Sequence, residues 1–437
     1  MYDLLLKGGR VIDPAQGLDA TLDVGFLDGH VSAIAADLGT QARMTRNVAG
    51  RIVTPGLIDM HSHVYWGATS LGVDAETIAK RSGTTTFVDA GSAGAGNFAG
   101  LRKFIVEPSA PRILAYLNIS FPGIFGFSKN VMVGECEDLR LLDSRECLAL
   151  AEKNLDLIVG IKARVGAKAG GNSGLAPLLL AIEVAEELDL PVMAHIDFPP
   201  PGRKEVLEAL RPGDVLTHCF RPFPNAPVTR GNRIREDILE AHRRGIIFDI
   251  GHGFGGFAFK SARAMLAEGI MPDVISSDVH VLCCDGPAFD VLAVMSKFMA
   301  LGMPLTEVIR AATQNPARAL RRPELGSLAP GTPGDATILQ QVEGRFEHVD
   351  VSNEVVVADT PSHRADAGQA WGTLVHGLLE HAGHINRFAR LAYLLYNGCP
   401  IDTELILIIQ RYLDYLRLYQ DLLELIVERR HQRFYVC

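Results

Sequence analysis

The sequence has little of what marks secreted, membrane-spanning or nucleic-acid-binding proteins. Its seven cysteines in 437 residues are odd in number and form no C-x-x-C pair, which favours free thiols in a reducing compartment over a disulfide framework. No uninterrupted run of 18 apolar residues predicts a membrane span. The N-terminus has an aspartate at its third position and only a brief apolar run, which is not the pattern of a signal peptide. We therefore expect a cytoplasmic protein.

Positive charge is also scarce. The chain carries a formal net charge of −9, and no block of lysine and arginine stands out. Because a nucleic-acid-binding protein needs a basic surface, we expect neither a nucleic acid nor a membrane as partner, but a small-molecule substrate. The content of 48% hydrophobic and 21% charged residues is ordinary for a globular protein. The length allows one large barrel with a satellite domain.

From residue 55 to residue 321 the sequence repeats a buried strand followed by a helix. Near-continuous apolar strands are typical of a parallel sheet that is covered on both faces. The predicted strands are 51–58, 84–88, 112–117, 157–162, 191–195, 215–218, 246–250 and 274–278. Eight such units in roughly 270 residues predict a (β/α)8 TIM barrel. A doubly wound sheet is the weaker alternative, since no G-x-G-x-x-G follows the first strand.

The two flanks of the barrel differ from it in character. Residues 1–54 read as short strands, with a hairpin turn at Asp28-Gly29, and are too few to bury a sheet alone. We expect them to join strands from 322–358 in a small β-sandwich domain. Residues 359–437 form a tail with a predicted helical hairpin at 371–396 and 404–434, whose apolar residues recur at helical spacing. Such an apolar hairpin favours packing or a homo-oligomer.

A candidate metal site begins where the first barrel strand ends, at His61-Ser62-His63. Alternate residues of a strand share a face, so Asp59, His61 and His63 are expected to point the same way. Two neutral imidazoles that converge from one strand suit Zn²⁺ or a similar divalent ion. Alone, a His-x-His pair is a weak signal, because polar residues at a strand end are common.

Other titratable residues fall at the C-terminal ends of further predicted strands. Lys162 ends the fourth, His195 the fifth, His218 the sixth and Asp278 the eighth. Taken singly, each has a structural explanation, such as a hydrogen-bonded core histidine or a lysine whose stem lies along apolar surface. Active sites of TIM barrels lie at this end of the strands, so six coincidences at one mouth favour a functional site.

At these residues the sequence resembles the amidohydrolase superfamily of metal-dependent hydrolases, and within it the dihydroorotase-like deacetylases. The residues that carry the resemblance are Pro55–His63, Gly160–Arg164, His195, His218, Asp249–Gly253, Ser277–His280 and Asn315–Arg318.

The resemblance implies a site with two divalent ions, for which four imidazoles favour Zn²⁺. The implied ligands are His61, His63 and Asp278 for one ion and His195 and His218 for the other. Lys162 would bridge the ions as a carbamate formed with CO₂, which supplies two oxygens and a negative charge. Ions about 3.5–4 Å apart can share a hydroxide, and Asp278 would be the catalytic acid–base.

Four residues are candidates for contacts with the substrate, and three of them also have a structural interpretation. Arg164 shares the strand face of Lys162 and could bind a substrate carboxylate, or it could form a structural ion pair with a glutamate. Asn118, after the third strand, could donate to the scissile carbonyl. His252 and His280 could line the pocket or stabilise their loops.

The function we expect is hydrolysis of an amide or ester bond in a small N-acyl or O-acyl carboxylate, in the manner of a deacetylase. A cyclic amidase, similar to dihydroorotase or hydantoinase, is the alternative within the enzyme class. The alternative from another class is a non-catalytic barrel that serves in assembly. Such relatives lack metal ligands, whereas all six are present here.

Overall fold

The computed structural model describes residues 1–342, 344–358 and 362–370, the last range by its backbone. Its strands are, in chain order, β1 (Tyr2–Asp13), β2 (Leu18–Leu27), β3 (His30–Ala35), β4 (Ala42–Asn47), β5 (Ile52–Pro55), β6 (Leu57–Ser62), β7 (Thr84–Gly94), β8 (Arg112–Asn118), β9 (Gly126–Phe127), β10 (Met132–Val133), β11 (Ile158–Val165), β12 (Val192–Ile196), β13 (Val215–Leu216), β14 (Ile247–Phe248), β15 (Ala336–Val342), β16 (Phe346–Val349), β17 (Val355–Ala358) and β18 (Ser362–Ala370).

Helices alternate with the strands through the middle of the chain. The α-helices are α1 (Ala75–Ser82), α2 (Phe98–Leu101), α3 (Ser144–Glu152), α4 (Ala176–Glu187), α5 (Arg203–Ala209), α6 (Glu236–Arg243), α7 (Phe259–Ala267), α8 (Val291–Ala300), α9 (Leu305–Ala312) and α10 (Gln314–Ala319). A π-helical turn spans Arg102–Val106, and 3₁₀ turns span Leu139–Leu141 and Pro323–Gly326. No helix in the described ranges has the length and hydropathy needed to cross a bilayer.

Seven parallel strands form the central sheet, in the order β14–β13–β12–β11–β8–β7–β6. Spatial order follows chain order, as expected when each strand returns to its neighbour through a helix. The strands contribute a buried apolar cluster that also includes residues of α10, so the sheet is packed on its inner side. The predicted barrel strands are therefore present, although β13 and β14 are only two residues long.

Residues 274–279 close the sheet into a TIM-barrel-like fold. They form isolated parallel bridges at both edges, Asp249 with Val274 and Ser62 with Val279. The eighth predicted strand is thus present as a closing segment. Because this segment touches both the first and the seventh strand, it brings their C-terminal ends, and the residues that follow them, to one mouth.

A second sheet is built from both flanks of the barrel. Its strand order is β18–β15–β5–β1–β2–β3, and β4 pairs in parallel with β1. The predicted hairpin turn is present, since Asp28 and Gly29 have φ values of 49° and 76°, which suit a two-residue turn with left-handed residues. Strands β1 to β5, β15 and β18 lie in one hydrogen-bonded sheet, and the predicted sandwich stays a prediction.

The end of the described chain differs in part from the expectation. Strands β16 and β17 pair with each other in a separate two-stranded sheet, whereas β15 joins the flanking sheet. Strand β18 begins at Ser362, where a helical tail was expected, and pairs with β15 through backbone hydrogen bonds. The first described part of the tail is thus a strand that pairs with the edge of β15. The predicted helices at 371–396 and 404–434 lie outside the described residues.

A buried threonine links the flanking sheet to the barrel. The Thr337 hydroxyl, on β15, donates to the carbonyl of Gly83 at 2.7 Å and accepts from the backbone N–H of Leu57 at 3.2 Å. Leu57 begins β6, Gly83 directly precedes β7, and the Thr337 side chain that joins them is fully buried. Replacing it with valine would leave a buried donor and a buried acceptor without partners.

We predict that Thr337→Val lowers the free energy of unfolding by about 1–3 kcal/mol, because unsatisfied buried polar groups cost that much. Urea denaturation measures the change. The matched control is Thr45→Val on β4, where the side chain is exposed and little change is expected. Equal stabilities of the two variants would contradict the role given to Thr337.

Candidate metal centre

His61 and His63 converge on one carboxylate oxygen. Their Nε2 atoms lie 3.3 and 3.2 Å from Oδ1 of Asp278. The backbone holds this arrangement, because the Asp278 N–H donates to the His61 carbonyl at 2.6 Å where residues 274–279 close the barrel. Asp59, expected on the same face, instead accepts from the backbone N–H of Ser277 at 2.9 Å. It therefore anchors the closing segment rather than joining the cluster.

Hydrogen bonds to Nδ1 hold both imidazoles in place, and in His61 this bond leaves the Nε2 lone pair directed at the cluster. Thr217 donates its hydroxyl hydrogen to Asp249 at 2.6 Å, so its oxygen accepts from Nδ1 of His61 at 2.8 Å. Nδ1 of His63 hydrogen-bonds with the hydroxyl of Ser92 at 2.8 Å. Such partners behind a histidine fix its tautomer, as they do in metal sites.

His218 and His195 lie on the other side of the same cluster. Nδ1 of His218 donates to the carbonyl of Gly251 at 2.6 Å, so its Nε2 carries a lone pair, which faces Nδ1 of His195 at 2.7 Å. Nε2 of His195 is buried and has no hydrogen-bond partner among the described residues. His218 and Asp278 both have a positive φ, 59° and 50°, which is uncommon outside glycine and is concentrated at functional sites.

Lys162 is fully buried between these histidines. Its Nζ lies 3.4 Å from Nε2 of His61 and 3.2 Å from the sulfur of Met193, and no carboxylate oxygen of the described residues lies within 4 Å. Burial lowers the pKa of its amine to about 7. A substantial fraction of this amine is uncharged near neutral pH, unlike that of an exposed lysine, and a neutral amine is the form that reacts with an electrophile.

The cluster fits a divalent cation. One nitrogen or oxygen from each of His61, His218 and Asp278 lies within 4.8 Å of the others, and all three residues are buried. Burial lowers the pKa values of His63 and His218 to about 3, so their imidazoles are neutral ligands at pH 7. Lone pairs that face a carboxylate repel it unless a proton or a cation lies between them. A cation in the cavity would also give a partner to Nε2 of His195, which has none among the described residues.

All six predicted ligands line one cavity of about 190 Å³. This is smaller than the roughly 300–1,000 Å³ of typical ligand pockets, so the cavity suits a small molecule. Two of the four predicted substrate residues, Arg164 and His280, also line it. The ring of His280 lies edge-on to that of Phe127, with 5.4 Å between centroids, and burial lowers its pKa to about 4.

The other two predicted substrate residues do not line the cavity. Asn118 is fully buried, donates from Nδ2 to the carbonyl of Gly91 at 3.0 Å and accepts from the N–H of Ser120 at 2.9 Å. His252 contacts Nζ of Lys297 at 2.7 Å through Nε2. Both side chains are therefore committed to structural hydrogen bonds.

Several cavity residues were not identified from the sequence. They are Leu71, Ile124, Phe127, Met132, Val133, Lys168, Asp197, Phe198, Arg221 and Phe254. Most lie on loops after the barrel strands, where sequence patterns predict neither conformation nor direction. Arg221 had a usable signal, because it follows His218 by three residues at the predicted mouth.

Comparison with known proteins assigns the family. A family model described as the amidohydrolase family matches residues 258–370. A curated deacetylase of Brucella anthropi is 36% identical over 339 residues, which cover 77% of this chain and 84% of that protein. The chain belongs to the amidohydrolase family. It is therefore a hydrolase, and the predicted resemblance is confirmed.

Solved structures of amidohydrolases share the fold. The crystal structure of a dihydroorotase has a TM-score of 0.77 and 33% sequence identity, and the match covers 84% of this chain and 98% of that one. The crystal structure of an adenine deaminase has a TM-score of 0.78 and 29% identity, with 84% and 97% covered.

Gly253 provides a test of how Asp278 is held. A Cβ at this glycine would lie 2.1 Å from Oδ2 of Asp278, and its φ of 46° is unfavourable for other residues. We predict that Gly253→Ala displaces the carboxylate and weakens Zn²⁺ binding by about 10- to 100-fold, as loss of a supporting group does in other sites. Competition with a chromophoric chelator measures the affinity.

The matched control for this substitution is Gly231→Ala. A Cβ there would come no closer than 3.9 Å to its nearest neighbour, and the position is exposed. Unchanged Zn²⁺ affinity in the Gly253 variant would mean that Asp278 does not hold the metal.

Proposed function

We propose that this amidohydrolase is a binuclear, deacetylase-type enzyme that cleaves an amide or ester bond of a small N-acyl or O-acyl carboxylate. The observation that carries the proposal is the convergence of all six predicted ligands on one small cavity. The deacetylase relative at 36% identity supports the reaction type.

In the proposed site the ligands divide into two sets. His61, His63 and Asp278 would hold the first divalent ion, and His195 and His218 would hold the second. Lys162, as a carbamate formed with CO₂, would supply oxygen ligands to both. The buried amine without a nearby carboxylate supports this assignment, since a carbamate would replace a poorly partnered buried amine by an anionic group that cations stabilise.

Asp278 moves the proton in the proposed reaction. When bound, the two ions would acidify the attacking water and polarise the acyl carbonyl, and four imidazoles favour Zn²⁺. The Asp278 carboxylate takes a proton from the water that adds to the acyl carbon. It then gives that proton to the leaving nitrogen or oxygen as the acyl bond breaks. Asp59 and Gly253 position it, the first through Ser277 and the second by leaving room for Oδ2.

A cyclic amidase is the second candidate for the same site. The solved dihydroorotase, at 33% identity, supports it, because ring opening and deacylation use the same attack on an amide carbonyl. A non-catalytic role in assembly has less support, since none of the six ligands is missing from the cavity.

Metal analysis with a Lys162→Ala variant tests the binuclear proposal. We predict about two Zn²⁺ per chain in the wild type, from the two-metal arrangement. The variant should lose most of the metal and about 100-fold or more of the activity, because loss of a ligand costs at least as much as loss of its support. Lys153→Ala, at the exposed end of α3, is the control.

A second readout on the same variants separates the carbamate from the metals. With ¹³C-bicarbonate, ¹³C NMR should show a carbamate resonance in the wild type and in Lys153→Ala, but none in Lys162→Ala. Full metal content in Lys162→Ala, or the same resonance in that variant, would refute the bridging role.

Substrate profiling separates the two candidate reactions. We predict that N-acetyl and O-acetyl carboxylates release acetate, detected enzymatically, while dihydroorotate and hydantoins are opened at least about 10-fold more slowly, a difference of 1.4 kcal/mol in activation free energy. Ring opening without any release of acetate would decide for the cyclic amidase.

A further inference from the structure

Besides Lys162, three basic side chains line the cavity, and two of them already have partners. Arg164 donates from Nη1 to Oε2 of Glu135 at 3.0 Å, and both side chains are buried. Its guanidinium also lies over the ring of Phe127, 5.5 Å from the centroid. Of the two interpretations of Arg164, this geometry favours the structural ion pair. Lys168 is exposed, and its ammonium lies over the ring of Phe198, 4.6 Å from the centroid.

Arg221, the third cation, has no comparable partner. Its exposed fraction is 7%, and its guanidinium donates from Nη1 to the carbonyl of Ile196. No carboxylate oxygen of the described residues lies within 4 Å of it, and its Nε is buried without a hydrogen-bond partner. A buried charge without compensation is costly, so its presence in a cavity calls for an anion that arrives with a ligand.

The acidic neighbour of Arg221 is committed elsewhere. Asp197 lines the same cavity, but its carboxylate accepts from the backbone N–H groups of Lys168 at 3.3 Å and Ala169 at 3.0 Å, and also from that of Phe198. These bonds turn both oxygens toward the loop after β11 and the start of the loop after β12. Asp197 therefore leaves the guanidinium of Arg221 available.

A buried Nε without a hydrogen-bond partner is not by itself unusual in this chain, because Arg235 and Arg244 each have one as well. Neither of these arginines lines the cavity that contains the six candidate metal ligands. Arg244 in addition donates from both Nη atoms, to the carbonyls of Leu210 and Leu207. What distinguishes Arg221 is the combination of a buried guanidinium with a place in the cavity.

Arg221 lies next to His195 and His218, two of the candidate metal ligands. Its backbone N–H donates to the carbonyl of His218 at 3.2 Å, and its guanidinium binds the carbonyl of Ile196, the residue after His195. An anion bound by Arg221 would thus lie beside these imidazoles. The remaining wall of the cavity is largely apolar, with Phe127, Phe198, Phe254, Ile124, Met132 and Val133.

We infer that Arg221 binds the carboxylate of the substrate and that the apolar wall receives its side chain, which makes the substrate class an acylated 2-amino or 2-hydroxy acid with an apolar substituent. This inference rests on the proposed hydrolase function and refines it. A guanidinium presents paired N–H donors that match a carboxylate, and a neutral amide in the same place cannot accept them equally well.

The test uses the zinc-loaded enzyme with both enantiomers of N-acetylphenylalanine and of its neutral amide. We predict that the wild type prefers the carboxylate by about 10- to 100-fold in kcat/KM, as expected for a charged hydrogen-bond partner. In Arg221→Gln this preference should fall to near one, mainly through KM, with Arg221→Lys in between. Arg244→Gln, which changes the matched arginine outside the cavity, should keep the wild-type preference.

Calorimetric binding of N-acetylphenylalanine to the same proteins makes the result independent of turnover. Binding that weakens by the same factor in Arg221→Gln supports the inference even if the wild type hydrolyses nothing, in which case the hydrolase proposal alone fails. Hydrolysis with an unchanged preference in Arg221→Gln overturns the inference and leaves the hydrolase proposal standing. No preference for the carboxylate in the wild type, or no binding by it, also overturns the inference.

Discussion

The closure of the barrel by residues 274–279 is the constraint on which the site depends. The Asp278 N–H binds the His61 carbonyl, and Asp59 holds Ser277, so the same backbone contacts that close the sheet set Asp278 against two imidazoles. Asp278 takes a left-handed φ of 50° to complete this turn. Such strain persists only where the surroundings determine the conformation, and here hydrogen bonds on both sides of the residue do so.

The site is assembled from groups that are unfavourable without a ligand. Neutral imidazoles face a carboxylate, an amine lies among histidines, and the Arg221 guanidinium has no carboxylate of the described residues within salt-bridge distance. Each arrangement costs stability in the protein alone and would be relieved by the cations and the anionic substrate of the proposed function. The supporting contacts made by Thr217, Ser92 and Gly251 are conventional hydrogen bonds that keep these groups in place before binding.

How much of this could be predicted differs between strands and loops. Apolar runs at a regular spacing predicted the barrel strands, and the position of His61, His63, Lys162, His195 and Asp278 at strand ends predicted which side chains meet. The ladder irregularity between Asp59 and Ser62 could not be predicted, because it depends on pairing with β7 and the closing segment. For that reason Asp59 was wrongly expected to face the cluster.

Substrate residues were harder to predict, since they lie in loops whose direction is set by tertiary contacts. The polar ends of Asn118 were expected to reach the substrate, but backbone groups nearby satisfy them. Glu135, which neutralises Arg164, is 29 residues away in sequence, so its pairing is not visible in local patterns. The sequence offered only the position of Arg221 near the predicted mouth, whereas its burial and its lack of a carboxylate partner are properties of the folded chain.

Anomalous diffraction at the zinc edge from crystals of the zinc-loaded protein tests the central claim most directly. We expect two anomalous peaks within the cavity, one beside His61, His63 and Asp278 and one beside His195 and His218, with density for a carbamate on Lys162 between them. Anomalous peaks outside the cavity alone, or a bare amine at Lys162 in crystals supplied with bicarbonate, would contradict it.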